Sequence, residues 1–164
     1  MHVNPGPYEP CPRQTRPGLR RLLINSRCSL VEFTITEAHA DENIIFILEL
    51  APLLRTLTFM FSEWSDEGED AFQAICARKE LVPSLQVLSI WIRTQRKQVD
   101  FIDRSFARMV CDRWSSGLLS ADVTSTSKYP LSPDDIKILR VCKEQGLHVS
   151  VTGDSMDGLM IEYL

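Results

Sequence analysis

The chain has 164 residues, 44% of them apolar and 24% charged, with 18 basic against 22 acidic side chains and a formal net charge of -4. That length suits one domain with a sizeable core and is too short for two ordinary ones, while the balanced composition excludes disordered and fibrous classes. A weakly acidic surface gives no general attraction to phosphate backbones or anionic lipid, so neither nucleic acid nor membrane is an expected partner.

The longest apolar run, Ile44 to Leu48, falls far short of the roughly twenty residues that cross a bilayer. The first twenty residues, MHVNPGPYEPCPRQTRPGLR, hold no apolar stretch of the kind a secretion signal needs. Residues 1–18 are expected to form a loose tail, residues 19–164 one domain, and the location to be intracellular, in cytoplasm or nucleus. The five cysteines, at positions 11, 28, 76, 111 and 142, are odd in number and contain no C-x-x-C pair. Reduced thiols are the expectation, with Cys76, Cys111 and Cys142 packing as small apolar groups.

Leu19, Leu22 and Leu23 recur at helical spacing and predict a short helix to about Ser26. CSLVEFTI (28–35) then alternates apolar with polar residues and is rich in β-branched and aromatic types, the pattern of a strand. ADENIIFILELAP reads as a helix from Asp41, a possible N-cap, to Pro52, and PLLRTLTF (52–59) as the second strand. SEWSDEGED gathers Glu63, Asp66, Glu67, Glu69 and Asp70 ahead of a third helix, AFQAICARKELVP, that ends in Arg78 and Lys79. Acid before and base after complement the helix dipole. A calcium loop counted from Asp66 would need a bidentate Glu at its twelfth residue, which is Ala77, so no metal is assigned.

PSLQVLSIWI (83–92) is the third strand. A basic loop, RTQRKQ, leads to VDFIDRSFARMVCDRW, where Ile102, Phe106, Met109, Val110 and Arg113 share one helix face. GLLSADV, with Leu118, Ala121 and Val123, is a weaker fourth strand. A helix from Pro133 to Gln145 follows, ended by Gly146, and then a fifth strand through Leu147, Val149 and Val151. DGLMIEYL alternates again at Leu159, Ile161 and Tyr163 and can return beside the fifth strand through GDSMDG.

The strands share the phrase L-x-x-[LFA]-x-[IFV], with leading leucines at 30, 54, 85 and 118 and a helix in every gap. A repeated hydrophobic phrase alternating with helices predicts an α/β fold: an irregular leucine-rich-repeat-like solenoid, a parallel sheet of about five strands with helices on its outer face. An ordinary open βαβ sheet is the alternative. Regular leucine-rich repeats place an Asn or Cys three positions beyond the phrase, where this chain has Ala38, Ser62 and Arg93, so irregular units are expected.

LRRLLINSRCSLVEFTIT, LAPLLRTLTF, LVPSLQVLSI and VDFIDRSFARMVCDRW, in that order, resemble the carboxyl-terminal region of fungal, chiefly basidiomycete, F-box proteins with irregular leucine-rich repeats. The resemblance spans about residues 19 to 152. It implies repeats that hold a ubiquitin-ligase substrate, in proteins whose amino-terminal F-box binds the Skp adaptor of a cullin ligase. Residues 1–18 have neither the length nor the periodicity of an F-box, so no adaptor-contacting residue carries over. A free-standing repeat scaffold or a truncated remnant stays open beside the ligase reading.

No catalytic constellation is evident. GDSM at 153–156 is similar to the nucleophile turn of GDSL-type hydrolases, but only nine residues follow Ser155 and none is His, so no Asp-x-x-His pair can activate it. His2, His39 and His148 form no metal-binding pair, and Asp134 and Asp135 sit where a helix N-terminus favours carboxylates. No cofactor and no enzymatic activity are expected, a hydrolase using Ser155 being the remote alternative. If Leu57, Phe59, Leu88, Ile90, Ala121 and Val123 face the helices, parity puts Thr34, Thr56, Thr58, Met60, Ser89, Trp91, Asp122 and His148 on the open face. These are the candidate contacts for a protein partner, with Trp91 as anchor unless it folds onto its own sheet or under a loop.

Overall fold

The structure is a computed structural model describing residues 21–25, 29–36, 42–61, 66–92, 105–126, 131–154, 160–162 and 164. A helical segment at residues 21–25 (α1) comes first. Strands and helices then alternate: β1 (Glu32–Thr36), α2 (Glu42–Glu49), β2 (Thr56–Phe61), α3 (Asp66–Ala77), β3 (Val87–Ile92), α4 (Ser105–Trp114), β4 (Ser120–Ser125), α5 (Pro133–Glu144) and β5 (His148–Asp154), with β6 (Met160–Glu162) last. All six strands form one sheet in sequence order. β1 to β5 run parallel, and β6 returns antiparallel on β5, as the alternation at the end of the chain predicts. The fold is therefore α/β, with a five-strand parallel sheet and helices.

The recurring phrase sets the register. Phe33, Leu57, Leu88, Ala121 and Val149 lie level across the sheet, as do Ile35, Phe59, Ile90, Val123 and Val151. Apart from half-buried Phe33, all are buried in one core with Phe72, Ile75, Phe106 and Leu139 from the helices. Burying a side chain such as Leu88 is worth about 1.5–3 kcal/mol against leaving it in water. Of the leading leucines Leu30 is half-buried, whereas Leu54, Leu85 and Leu118, and likewise Leu147 ahead of β5, are buried. Each of these buried four donates its backbone N–H to a carbonyl three to five residues upstream, those of Ala51, Val82, Arg113 and Cys142, which closes the turn into the strand.

The carboxylate-rich stretch lies elsewhere than expected: α3 begins at Asp66, so most of it is inside the helix rather than ahead of it. Acidic residues are favoured in a first helical turn, which lets the helix extend back through them. α5 starts as its sequence predicts, with Pro133 in the first turn. Ser132 Oγ accepts the Asp135 backbone N–H at 3.1 Å and donates to Asp135 Oδ2 at 2.7 Å. Ser132 is thus the N-cap, and the Asp135 carboxylate holds its hydroxyl in place. The expected tail at 1–18, the N-cap Asp41, the positions Ala38, Ser62 and Arg93, and Ser155 with the rest of the GDSMDG turn beyond Asp154 lie outside the described residues, while Gly153 and Asp154 end β5.

The reduced-thiol expectation fails at two positions. Cys111 on α4 and Cys142 on α5 form a disulfide, with their Cα atoms 6.5 Å apart and a sequence separation of 31. That separation is about one strand–helix unit, so stacking of consecutive units brings the two helices and their cysteines together. A count of cysteines and their local spacing cannot register such a juxtaposition.

Arg113 is the one cationic side chain in the described core. It donates from Nη1 to Val82 O at 3.2 Å and from Nη2 to Ile75 O at 3.0 Å, Arg78 O at 3.0 Å and Leu81 O at 2.9 Å. Ile75 is in the last turn of α3, whose carbonyls have no partner within the helix, and a cation there also meets the negative end of the helix dipole. Burial pushes the Arg113 pKa below its ordinary value, opposed by the Cys76 and Glu80 side chains. Val82 has φ +50°, a left-handed conformation that β-branched residues rarely adopt. Its carbonyl is held by Arg113 and by the Leu85 N–H, so the strained turn is clamped where the chain enters β3. Arg113→Met should leave several buried carbonyls unpaired and lower stability by about 3 kcal/mol or more, with Arg113→Lys recovering part of the loss. Urea denaturation followed by circular dichroism reads this directly, and a loss under about 1 kcal/mol for Arg113→Met contradicts the clamp.

Candidate interaction face

With helices covering one face of the sheet, the other is formed by the residues of opposite parity. Register arranges them in three rows across the parallel strands. The first holds Glu32, Thr56, Val87, Ser120 and His148, and the second Thr34, Thr58, Ser89, Asp122 and Ser150. The third holds Thr36, Met60, Trp91, Thr124 and Thr152. Every partner-binding candidate named from the sequence is therefore on this face, and the described ones are exposed or half-buried. Most are small hydroxyl residues, which lie flat on a pleated surface and tie to each other; Thr152 Oγ1 donates to Thr124 Oγ1 at 3.1 Å.

Trp91 stands out at 50% exposure, paired in register with Met60 at 40%. It neither folds away nor sinks into the sheet. An indole and a thioether side by side on central strands, amid short hydroxyls, make an apolar knob on a polar floor. Large aromatics of this kind carry much of the energy at protein interfaces.

A second feature was not legible in the sequence. Ser120 Oγ donates to Asp122 Oδ2 at 2.8 Å and lies 3.2 Å from His148 Nδ1, which is 3.7 Å from Asp122 Oδ1. The signal was hidden by a one-residue offset: Leu118 precedes the inward Ala121 by three residues, but Leu147 precedes the inward Val149 by two. Aligning the leading leucines thus misplaces His148 against β4. The three residue types are those of a hydrolase triad, yet the arrangement is a different one. Both Ser120 and Asp122 approach the same ring nitrogen, whereas acyl transfer needs one nitrogen to take the serine proton while the other donates to the carboxylate. The Ser120 proton is already directed at Asp122, and the group lies on an open sheet rather than in a cleft. The cluster holds Asp122 in a fixed orientation.

A cavity of about 110 Å³ is lined by Lys79, Pro83, Leu85, Arg113 and Ser116. It is on the helical side and well under the usual size of a small-molecule site. Among the described residues no helix is long and apolar enough to cross a membrane. Comparison with protein-family models, with curated proteins and with solved structures yields no match for this chain.

The two faces make opposite predictions for neighbouring residues of one strand. Leu88→Ala should cost about 2–5 kcal/mol of stability through its lost burial and the cavity left behind. Trp91→Ala should cost less than about 1 kcal/mol, since the side chain is half-exposed and loses only its contacts with the cross-strand neighbours Met60 and Thr124. Chemical denaturation of the two variants checks the assignment, and comparable losses would refute it.

Proposed function

We propose that the chain is a protein-interaction domain that receives its partner on the open face of the sheet, with Trp91 as the central anchor. The observation that carries this reading is the half-exposed Trp91 beside Met60 on a strand whose inward residues are fully buried. Exposing an indole in mid-sheet gains nothing for folding, whereas its desolvation by a partner is favourable.

The same reading takes the domain as an irregular leucine-rich-repeat-like solenoid. A repeated backbone contact supports it. The Val31 carbonyl accepts the N–H groups of Arg55 and Thr56 at 2.8 and 3.1 Å, and the Arg55 carbonyl those of Gln86 and Val87 at 2.8 and 2.9 Å. The Gln86 carbonyl accepts those of Leu119 and Ser120 at 2.7 and 3.0 Å. This stitch recurs at the entrances of β2, β3 and β4, and at β5 a single bond, from the His148 N–H to the Leu119 carbonyl at 3.2 Å, takes its place, so successive units dock in a similar way, as nearest-neighbour repeats do.

The finer assignment, substrate-recognition repeats of an F-box ubiquitin-ligase receptor, rests on the resemblance of the repeated phrases and the Arg-Trp helix to fungal F-box proteins. On that assignment the occupant of the face is a protein destined for ubiquitination. A free-standing scaffold would use the same face without an adaptor.

The test begins with affinity capture on the wild-type chain and identification of what is retained, followed by reconstitution with the purified partner. Trp91→Ala should weaken the purified complex at least about tenfold, equivalent to roughly 1.4 kcal/mol. Undiminished binding by the variant overturns the assignment of the face. An F-box encoded in frame upstream of Met1 in the transcript supports the ligase role, and a stop codon there supports the scaffold.

A further inference from the structure

Resting on that reading of the open face, we propose that the bound segment is an extended peptide carrying an arginine, whose guanidinium lies over the indole of Trp91 and pairs with the carboxylate of Asp122.

Charge selects the occupant. In the three rows of the open face Glu32 and Asp122 are acidic, His148 is the single imidazole and no lysine or arginine is present, while Glu162 of β6, paired with Thr152, adds a further carboxylate at the edge. An acidic segment would set carboxylate against carboxylate there. A purely apolar one would cover Met60 and Trp91 and strip water from Asp122 with no cation in exchange, which is costly. A cationic side chain satisfies both groups.

Geometry places the two contacts within reach of one residue. Trp91 is level with Thr124, and Asp122 lies two positions earlier on the same face of the adjacent strand. Adjacent strands about 4.8 Å apart and a two-residue advance of about 6.6 Å put the two Cα atoms about 8 Å apart. A cation within about 6 Å of the Trp91 ring centre is then close enough for its edge to meet Asp122. Arginine fits better than lysine, because a planar guanidinium stacks on an aromatic face while its N–H fork pairs with a carboxylate.

Asp122 is also prepared to accept. Its side chain keeps 30% exposure, and Ser120 Oγ holds Oδ2 at 2.8 Å. An ionised carboxylate has about four acceptor positions, so Ser120 on Oδ2 and His148 Nδ1 at 3.7 Å from Oδ1 leave room for a guanidinium. Next to this pair, Met60 offers an apolar contact for a neighbouring residue of the segment, and Thr58 and Ser89 offer hydroxyls to its backbone. The expected motif is arginine with an apolar residue near it in an extended chain.

Selection of a random displayed peptide library on the full-length wild-type chain, with counter-selection on Trp91→Ala, tests this. Recovered sequences should be enriched in arginine near an apolar residue. Synthetic versions should bind wild type at least about tenfold more tightly than Asp122→Asn, and replacing the peptide arginine by glutamine should cause a similar loss that is not repeated on Asp122→Asn. Peptides that depend on Trp91 but show no arginine enrichment, or bind Asp122→Asn equally well, overturn the arginine pocket and leave the docking face standing. Failure to recover any peptide dependent on Trp91 removes both. Should Asp122→Asn perturb folding, the arginine-to-glutamine peptide on the wild-type chain reads the same contact, and undiminished binding there overturns the proposal.

Discussion

Five parallel strands laid down in sequence order carry every crossover to the same side of the sheet, because a right-twisted strand followed by a helix packs back in only one hand. The rest of the molecule follows from that constraint. One face of the sheet is apolar but for Ser125 at its end and is buried by α2 to α5, and among the described residues no helix covers the other. Apolar residues on the bare side would be an aggregation hazard, and apart from half-buried Val87 most positions there are accordingly threonine, serine and single charges. Trp91 and Met60 depart from that rule on two adjacent central strands. This is the physical basis for reading the bare face as a place of contact.

Stacking also concentrates the polar cost of the fold at the helix ends and strand entrances. Each turn from a helix into a strand leaves carbonyls that must find donors. Backbone N–H groups of the next unit serve some of them. Arg113 serves four at once between α3 and β3, holding Val82 in a left-handed conformation. Arg78, whose carbonyl is one of the four, reaches Glu49 at the end of α2 with its own side chain, an exposed pair that adds little energy but follows the same unit-to-unit logic. Further along the stack the Cys111–Cys142 bond fastens α4 to α5. The helical layer is therefore pinned on the side opposite the proposed contact face, so a partner would meet a surface that is already ordered.

Strand parity was legible because Leu57, Phe59, Leu88 and Ile90 alternate with polar residues at a period of two, and a one-residue slip would have turned all of them outward. The face of α4 was legible down to Arg113, because an arginine on an apolar helical stripe must be either a snorkelling residue or a buried one with partners. Its partners were not, since carbonyls more than thirty residues away carry no mark in sequence. The start of α3 was misplaced because acidic residues serve equally as a loop and as a first turn. The disulfide and the Ser120–Asp122–His148 cluster share one cause. Both join residues of neighbouring units, and the distance along the chain between equivalent positions varies from unit to unit, so the register had to be seen in three dimensions.

The central claim is that Trp91 and Met60 are open in the free chain and covered by a partner. Hydroxyl-radical footprinting of the purified chain, alone and in its reconstituted complex, tests it most directly, since both side chains oxidise readily. The account predicts strong modification of Trp91 and Met60 in the free chain, marked protection of both in the complex, and no change at Val141 on the exposed side of α5. Protection on α5 with Trp91 and Met60 unchanged, or a Trp91 already protected in the free chain, would contradict it.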